Sequence, residues 1–270
     1  MILSEEQAER YLRHFVLREI GVSGQKRLLN SKVLVIGAGA LGSSALMYLA
    51  AAGIGTIGIA DYDRVELSNL QRQIIHRTDH VGMEKTLSAK QTVEEINPDV
   101  TVHLYSERMT PDNIQRVIDL YDFIIDGTDR AESKFLINDA CVLAGKPYSH
   151  AGVVRFGGQA MTYVPGKGPC LRCLMKRVPT QRTVSCSQAG VLGSVTGIIG
   201  SIQATEAVKY LLGIGELLIG RIMHVDGLSM SIDTLEIDSA NAECAVCGEH
   251  PTILSVTGNR EEYEEKDCAF

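Results

Sequence analysis

The segment Gly37-Ala38-Gly39-Ala40-Leu41-Gly42 carries three glycines at the spacing Gly-x-Gly-x-x-Gly. It joins an apolar run with strand character, Lys32–Gly37, to an Ala/Leu-rich run with helix character, Leu41–Ala52. In that order the first glycine permits a tight turn, the second lets backbone approach a phosphate, and the third lets the helix pack on the sheet. The helix start adds unpaired amides and the positive end of the helix dipole, which suits an anion. Asp61 closes the next apolar run 19 residues after Gly42, where a carboxylate reaches ribose hydroxyls. Gly37, Gly39, Gly42 and Asp61 are therefore expected to bind a nucleotide.

The usual ligand of such a turn is a nicotinamide or flavin dinucleotide, held by backbone amides. The loop that follows points to a more highly charged one. Asp61-Tyr62-Asp63 leads into Leu67-Ser68-Asn69-Leu70-Gln71-Arg72-Gln73 and then to Lys85. Arg72 and Lys85 are cations and Asn69 is a neutral donor, a set that matches the charge of a triphosphate. Asp126-Gly127-Thr128-Asp129 ends another strand at the edge where open α/β sheets bind ligands. Asp129 is placed to hold a magnesium ion, which prefers one or two carboxylates together with phosphate and water. Asp126, nearer the strand body, is expected to be structural.

Cys170-Leu-Arg-Cys173 and Cys244-Ala-Val-Cys247 are two thiolate pairs far apart in the chain. Each pair clasps one side of a tetrahedral zinc ion, and four thiolates leave no open position, so the zinc is expected to be structural. It would staple the C-terminal strands onto the body. A thioredoxin-type redox pair is disfavoured, because neither pair is expected to open a helix after a strand. Seven cysteines with no signal peptide before them indicate a cytoplasmic, reducing compartment. Cys141 falls among apolar residues and is assigned to the core, and Cys268 is one position too late for a prenylation box.

These residues must be carried by a scaffold. Further strands are expected at Thr56–Asp61, Thr101–Tyr105 and Phe123–Asp126, and helices at Met83–Ile96 and Glu132–Ala144, the latter closed by Gly145. Thr110 with Pro111 has the form of a helix cap. Residues 4–29 have one continuous helical pattern. Beyond Lys146, strands at Tyr148–Val154 and Gln159–Val164 flank Gly157-Gly158, a small-residue helix occupies Val191–Leu212, and strands follow at Arg221–Val225 and Met230–Glu236. The result is an α/β, Rossmann-like, mostly parallel sheet with helices on both faces, antiparallel C-terminal strands and a zinc-stapled C-terminal region. One domain is expected, with a helical arm (1–30), a nucleotide-binding half (31–146), a second half (147–250) and an acidic, mobile tail (251–270). The uncharged stretch from Val33 to Ala60 is broken by six glycines into βαβ, not a membrane span. Gln203, Glu206 and Lys209 argue the same for the long helix. A net charge of −7 disfavours binding to nucleic-acid phosphates.

In order and spacing, these segments resemble the ThiF/MoeB/HesA family, relatives of the ubiquitin-activating enzymes. The resemblance runs from Arg10-Tyr11-Leu12-Arg13 to Cys247 and includes the glycine turn, the Asp61-x-Asp63…Arg72-Gln73 loop, Gly127-Thr128-Asp129, Ala189-Gly190-Val191-Leu192-Gly193 and both cysteine pairs. It implies an ATP-dependent adenylyltransferase that acts on the C-terminal glycine carboxylate of a ubiquitin-fold sulfur carrier ending in Gly-Gly. The carrier would serve thiamin, molybdopterin or related sulfur transfer. It also implies that Asp61 and Asp63 lie in the nucleotide site, that Asn69, Arg72 and Lys85 line the triphosphate, and that Asp129 binds magnesium. Arg13 would reach the phosphates of a second subunit, making the protein a homodimer with the long helix near the interface. Cys186 would carry a covalent sulfur intermediate, aided by Arg182, with a sulfur donor as a further partner. The chain departs from the family at Arg130, often Asn, and at Ala40 and Ser194, commonly Gly and Pro. Rival readings are a tRNA-modifying ATP-dependent dehydratase of the same superfamily, an NAD-dependent oxidoreductase, and a zinc-ribbon interaction module. The oxidoreductase lacks an evident hydride-site His–acid pair, and the zinc ribbon leaves the first 150 residues unexplained.

Overall fold

A computed structural model describes residues 2–179, 189–237 and 240–264. The N-terminal arm holds α1 (Glu5–Arg10), α2 (Leu12–Phe15) and α3 (Gly21–Leu29). The sheet is built from β1 (Lys32–Ile36), β2 (Thr56–Ala60), β3 (Thr101–Tyr105), β4 (Phe123–Asp126), β5 (Tyr148–Val154), β6 (Gly157–Tyr163), β7 (Arg221–Asp226) and β8 (Ser231–Glu236). Its order is β3-β2-β1-β4-β5-β6-β7-β8; the first five strands are parallel, and the rest continue the sheet antiparallel. The order in which strands are added reverses between β1 and β4, which opens a crevice at the carboxyl ends of these parallel strands.

Alternation along the strands feeds two cores. Val33 and Val35 of β1, with Ile57, Ile59, Phe123 and Ile125, face α3, α4 (Ala40–Ala52), α5 (Lys85–Ile96) and the C-terminal part of α9 (Gly193–Leu212). Leu34, Ile36 and Ile124 face α6 (Ile114–Ile118), α7 (Ala131–Ala144) and the segment carrying Val246, Ile253, Val256 and Tyr263. Each such side chain taken fully from water contributes roughly 1.5–3 kcal/mol before chain entropy is counted. Helix α9 lies directly on α4: a Cβ at Gly200 would fall 2.2 Å from Ser44 Oγ and 2.3 Å from the Leu41 carbonyl. Gly200 thus serves a contact within one chain, whereas a Cβ at Gly197 would meet nothing within 4 Å among the described residues. No helix among the described residues is long and apolar enough to cross a membrane.

Several local expectations fail for identifiable reasons. Residues 4–29 are three helices instead of one. A continuous 26-residue helix would run about 39 Å and carry Tyr11, Ile20 and Leu28 away from the core that buries them. The break lets the Tyr11 hydroxyl accept from Asn97 Nδ2 at 2.8 Å. Thr110 does not cap a helix: its amide donates to Asn113 Oδ1 at 2.8 Å, its carbonyl closes a turn, and α6 starts at Ile114. The β5–β6 hairpin turns at Arg155-Phe156, with Arg155 at φ 54°, while Gly157 and Gly158 belong to β6. The acidic end is docked as far as residue 264. Tyr263 is buried and donates to Asp139 Oδ2 at 2.6 Å, Glu262 accepts from Arg172 at 2.7 Å, and Arg260 pairs with Asp112.

Candidate functional site

The crevice is a cleft of about 270 Å³. Its floor is the turn between β1 and α4. Gly37 has φ 100°, and a Cβ there would fall 2.7 Å from the Gly127 carbonyl, so the ends of β1 and β4 touch at the floor. Gly42 faces inward: a Cβ there would fall 1.9 Å from the Gly37 carbonyl. It sets the helix against the strand and is not part of the cleft lining. No side chain caps α4 at Gly39, so its first amides remain available beside Gly39, Ala40 and Leu41 on the cleft wall.

Asp61, at the end of β2, also fixes the turn. Its Oδ2 accepts from the Ala38 amide at 2.8 Å and its Oδ1 from the Asp63 amide at 2.9 Å. Burial pushes the Asp61 carboxyl above the usual range, against Lys85 and the two amides, which favour the anion. Lys85 is buried at the start of α5 and donates to Asp63 Oδ2 at 2.9 Å, so Asp63 holds the lysine over the cleft. Arg72 lines the same wall, anchored by Nη1 to the Ser68 carbonyl at 3.1 Å. Asp129 lines the opposite side, is exposed, and has no bonded partner among the described residues.

Two expected residues lie elsewhere. Asn69 is buried behind the loop, where its Oδ1 accepts from the Glu66 amide at 3.2 Å; it shapes the turn that presents Arg72 and does not line the cleft. Arg13 sits exposed on α2 and outside this chain's cleft. Cys186 and Arg182 fall in 180–188, and Cys268 in 265–270, outside the described residues.

Sequence reasoning gave no role to Gln73, Lys134 or His76. Gln73 lines the cleft, and its buried Oε1 has no partner among the described residues. Its place directly after Asn69-x-x-Arg72 was the available signal. His76 is found only in three dimensions. Its Nε2 bonds the Ala38 carbonyl at 3.0 Å, and its Nδ1 meets Ser88 Oγ at 2.8 Å. Ser88 Oγ also meets His80 Nδ1 at 2.7 Å, and His80 Nε2 lies 3.0 Å from Arg77 Nη2. A carbonyl only accepts, so His76 Nε2 carries a proton. Donation then runs one way, from Arg77 through neutral His80, Ser88 and neutral His76 to the turn.

Burial holds the His76 pKa down to about 4, below the ordinary imidazole value of 6.5. Above pH 6.5 both folded and unfolded forms are neutral and the stability is complete. As pH falls from 6.5 to 4, the unfolded chain binds a proton that the folded chain refuses, and stability falls by up to roughly 3 kcal/mol. Thermal unfolding scans from pH 7.5 to 4.5 should show this loss, and His76→Gln should flatten it.

The four cysteines of the two pairs come together, their sulfurs all within 4.8 Å of one another. The sulfur separations are 4.0 Å for Cys170–Cys173, 3.6 Å for Cys170–Cys244, and 3.4 Å for both Cys173–Cys247 and Cys170–Cys247. Zinc–sulfur bonds of about 2.3 Å in a tetrahedron put sulfurs roughly 3.8 Å apart, so the donor set can hold zinc. Contrary to expectation, the first pair does open a helix: Cys170 precedes the single turn α8 (Leu171–Leu174). The target of the staple also differs. Strands β7 and β8 are held by ladder pairing, whereas the cysteines fasten the strand-free segment after residue 240 against α7. Arg172, between the first two cysteines, makes bonds of 2.7–2.9 Å to buried Asp139 of that helix.

The family model of ThiF matches residues 11–246. The chain belongs to the ThiF family. This ThiF-family chain is 43% identical over 256 residues to adenylyltransferase and sulfurtransferase MOCS3 of Dictyostelium discoideum, a match covering 94% of the chain and 60% of the relative. It thus spans about three-fifths of that protein's length. It is 44% identical to the SAMP-activating enzyme E1 of Haloferax volcanii, covering 92% of the chain and 91% of the relative. The structure of E. coli MccB superposes with a TM-score of 0.79 at 24% identity, covering 92% of the chain and 74% of MccB, which supports the fold.

Proposed function

We propose that this chain uses ATP to adenylate the C-terminal glycine carboxylate of a small ubiquitin-fold sulfur carrier ending in Gly-Gly, releasing pyrophosphate. The observation that carries the reading is the convergence of Arg72, Lys85 and Asp129 on the free amides of α4 in one cleft. A dinucleotide needs no such cations, whereas a triphosphate about to lose pyrophosphate does. The adenylyltransferase and activating-enzyme names of the relatives point the same way.

In this reading, Asp61 orients the ribose, and Arg72 and Lys85 neutralise the phosphates. One carboxylate oxygen attacks the α-phosphorus, the bond from that phosphorus to the bridging oxygen breaks, and pyrophosphate leaves with the electron pair. The carboxylate is already ionised near neutral pH, so no general base is required. The residues supply positioning and fixed positive charge. Asp129 would hold a magnesium ion, whose charge offsets that building on the leaving group. Arg13 would serve a second copy's cleft in a homodimer, Cys186 would act after adenylation in sulfur transfer, and the four cysteines would hold one structural zinc.

The test is ATP–pyrophosphate exchange with a panel of purified carriers ending in Gly-Gly. Exchange is expected only with a carrier present, and it should vanish when the terminal glycine is deleted. Tight ATP binding without exchange on any carrier would overturn the reading in favour of another carboxylate, such as one on tRNA.

A further inference from the structure

The phosphate wall of the cleft has its cations in Arg72 and Lys85, but the reaction joins two anions. The second anion, the acceptor carboxylate, also needs a positive group beside it. Lys134, on the first turns of α7, lines the cleft together with Gly127, Thr128 and Gly152. Its Nζ donates to Asp126 Oδ2 at 3.2 Å and to the Ala151 carbonyl at 2.6 Å. An ammonium group has three N–H donors, and the third has no partner among the described residues.

Asp126 is fully occupied. Its Oδ1 accepts from the Thr128 amide at 3.1 Å and hydroxyl at 2.6 Å, and its Oδ2 is shared by Lys134 and by His150 Nδ1 at 2.9 Å. Burial alone would raise the Asp126 carboxyl; Lys134 and His150 outweigh it and hold the group well below the usual range. Burial keeps His150 depressed and neutral, so the ion pair is Asp126 with Lys134. The pair is fixed in place: Gln203 Nε2 bonds the Asp126 carbonyl at 2.9 Å and the Ser149 carbonyl at 3.1 Å, tying β4 to β5. The side chain of Asp126 is wholly buried and that of Lys134 is 14% exposed, so the pair turns its positive end to the cleft.

We propose that Lys134 Nζ receives the acceptor carboxylate, giving its third N–H to one oxygen while the other attacks the α-phosphorus. This rests on the adenylation reading above. The Asp126 counter-charge moderates the cation, so the carboxylate is oriented without being held as a tight ion pair that would blunt its attack. No proton moves: the lysine stays charged throughout, and the mixed-anhydride bond from carboxylate oxygen to the α-phosphorus forms as the bond to pyrophosphate breaks.

The experiment compares wild type, Lys134→Gln and Lys134→Arg in carrier-dependent pyrophosphate exchange, and measures affinity for AMP and for an acyl-sulfamate mimic of the glycyl adenylate. For Lys134→Gln, kcat/KM for the carrier should fall at least 100-fold and mimic affinity at least 10-fold with AMP affinity close to wild type, while Tm falls because buried Asp126 loses its counter-charge. Lys134→Arg should recover most of the carrier dependence. Carrier kinetics of Lys134→Gln within twofold of wild type would overturn the assignment. So would an equal loss for AMP and the mimic, which marks a purely structural role. If wild type gives no exchange with any carrier, the adenylation reading fails and takes this proposal with it, an outcome the wild-type control reveals by itself.

Discussion

Asp129→Ala is expected to lower carrier-dependent pyrophosphate exchange on the order of 10³-fold without changing the stability of the fold. The two halves of this expectation have separate causes. Asp129 is exposed at the end of the loop after β4 and has no bonded partner among the described residues, so its removal breaks no hydrogen bond or ion pair among them. Surface substitutions of that kind usually stay within about 0.5 kcal/mol. The kinetic effect follows if Asp129 anchors the magnesium ion: without it, the charge developing on pyrophosphate loses its divalent partner and is left to the α4 amides and to side-chain cations such as Arg72 and Lys85. Losing one preorganised electrostatic partner typically costs 10²–10³-fold, and a metal ion carries two charges. Exchange assayed over a range of magnesium concentrations checks the assignment. Asp129→Ala with full activity at ordinary magnesium would remove it.

Cys244→Ala is expected to do the opposite, striking the fold first. Cys244 is buried within the cluster that includes Phe135, Tyr148, Tyr163 and Val246. With one sulfur gone, the remaining three hold zinc poorly, and zinc content should fall from about one per chain to near zero. Structural zinc in small peptides contributes about 10–16 kcal/mol of apparent binding energy. Here the ladder and the cores remain, so the expected loss is on the order of 5 kcal/mol, or roughly 10–20 °C in Tm. Unfolding should begin in residues 240–264, because Tyr263, Ile253 and Val256 lie against α7 in the same cluster as the cysteines. Hydrogen exchange read by mass spectrometry would locate the loss. Unchanged zinc content and Tm would show that the four thiols are not a metal site.

Arg172 and Asp139 join this staple to the cleft. Asp139 lies on the helix whose first turns carry Ser133 and Lys134 into the cleft wall, and it is clamped by Arg172, Tyr263 and the neighbouring Asn138. The cysteines and the cleft thus share α7, although nothing in their spacing along the chain relates them.

The sequence by itself determined the parts whose chemistry is local. Gly37 and Gly42 mark a turn because only glycine tolerates that backbone and approach, and the strand and helix around it follow from neighbouring apolar runs. The two Cys-x-x-Cys pairs each bring two sulfurs to one side of an ion within four residues. Motif order was enough to indicate the family. Tertiary structure decided the rest, because it depends on partners distant in the chain. Asn69, a phosphate donor by composition, is buried off the cleft, its oxygen accepting from the Glu66 amide and its Nδ2 facing Ser68 Oγ. His76 supports the glycine turn through a carbonyl 38 residues away. Lys134 becomes a cleft cation only because β4 and β5 bring Asp126 and Ala151 together. The cysteine pairs join the segment after residue 240, and not the strands, to the body, since ladder hydrogen bonds already hold the strands. Spacing states which groups can meet within a turn; packing states which of them still have a free donor or acceptor once the chain has closed around them.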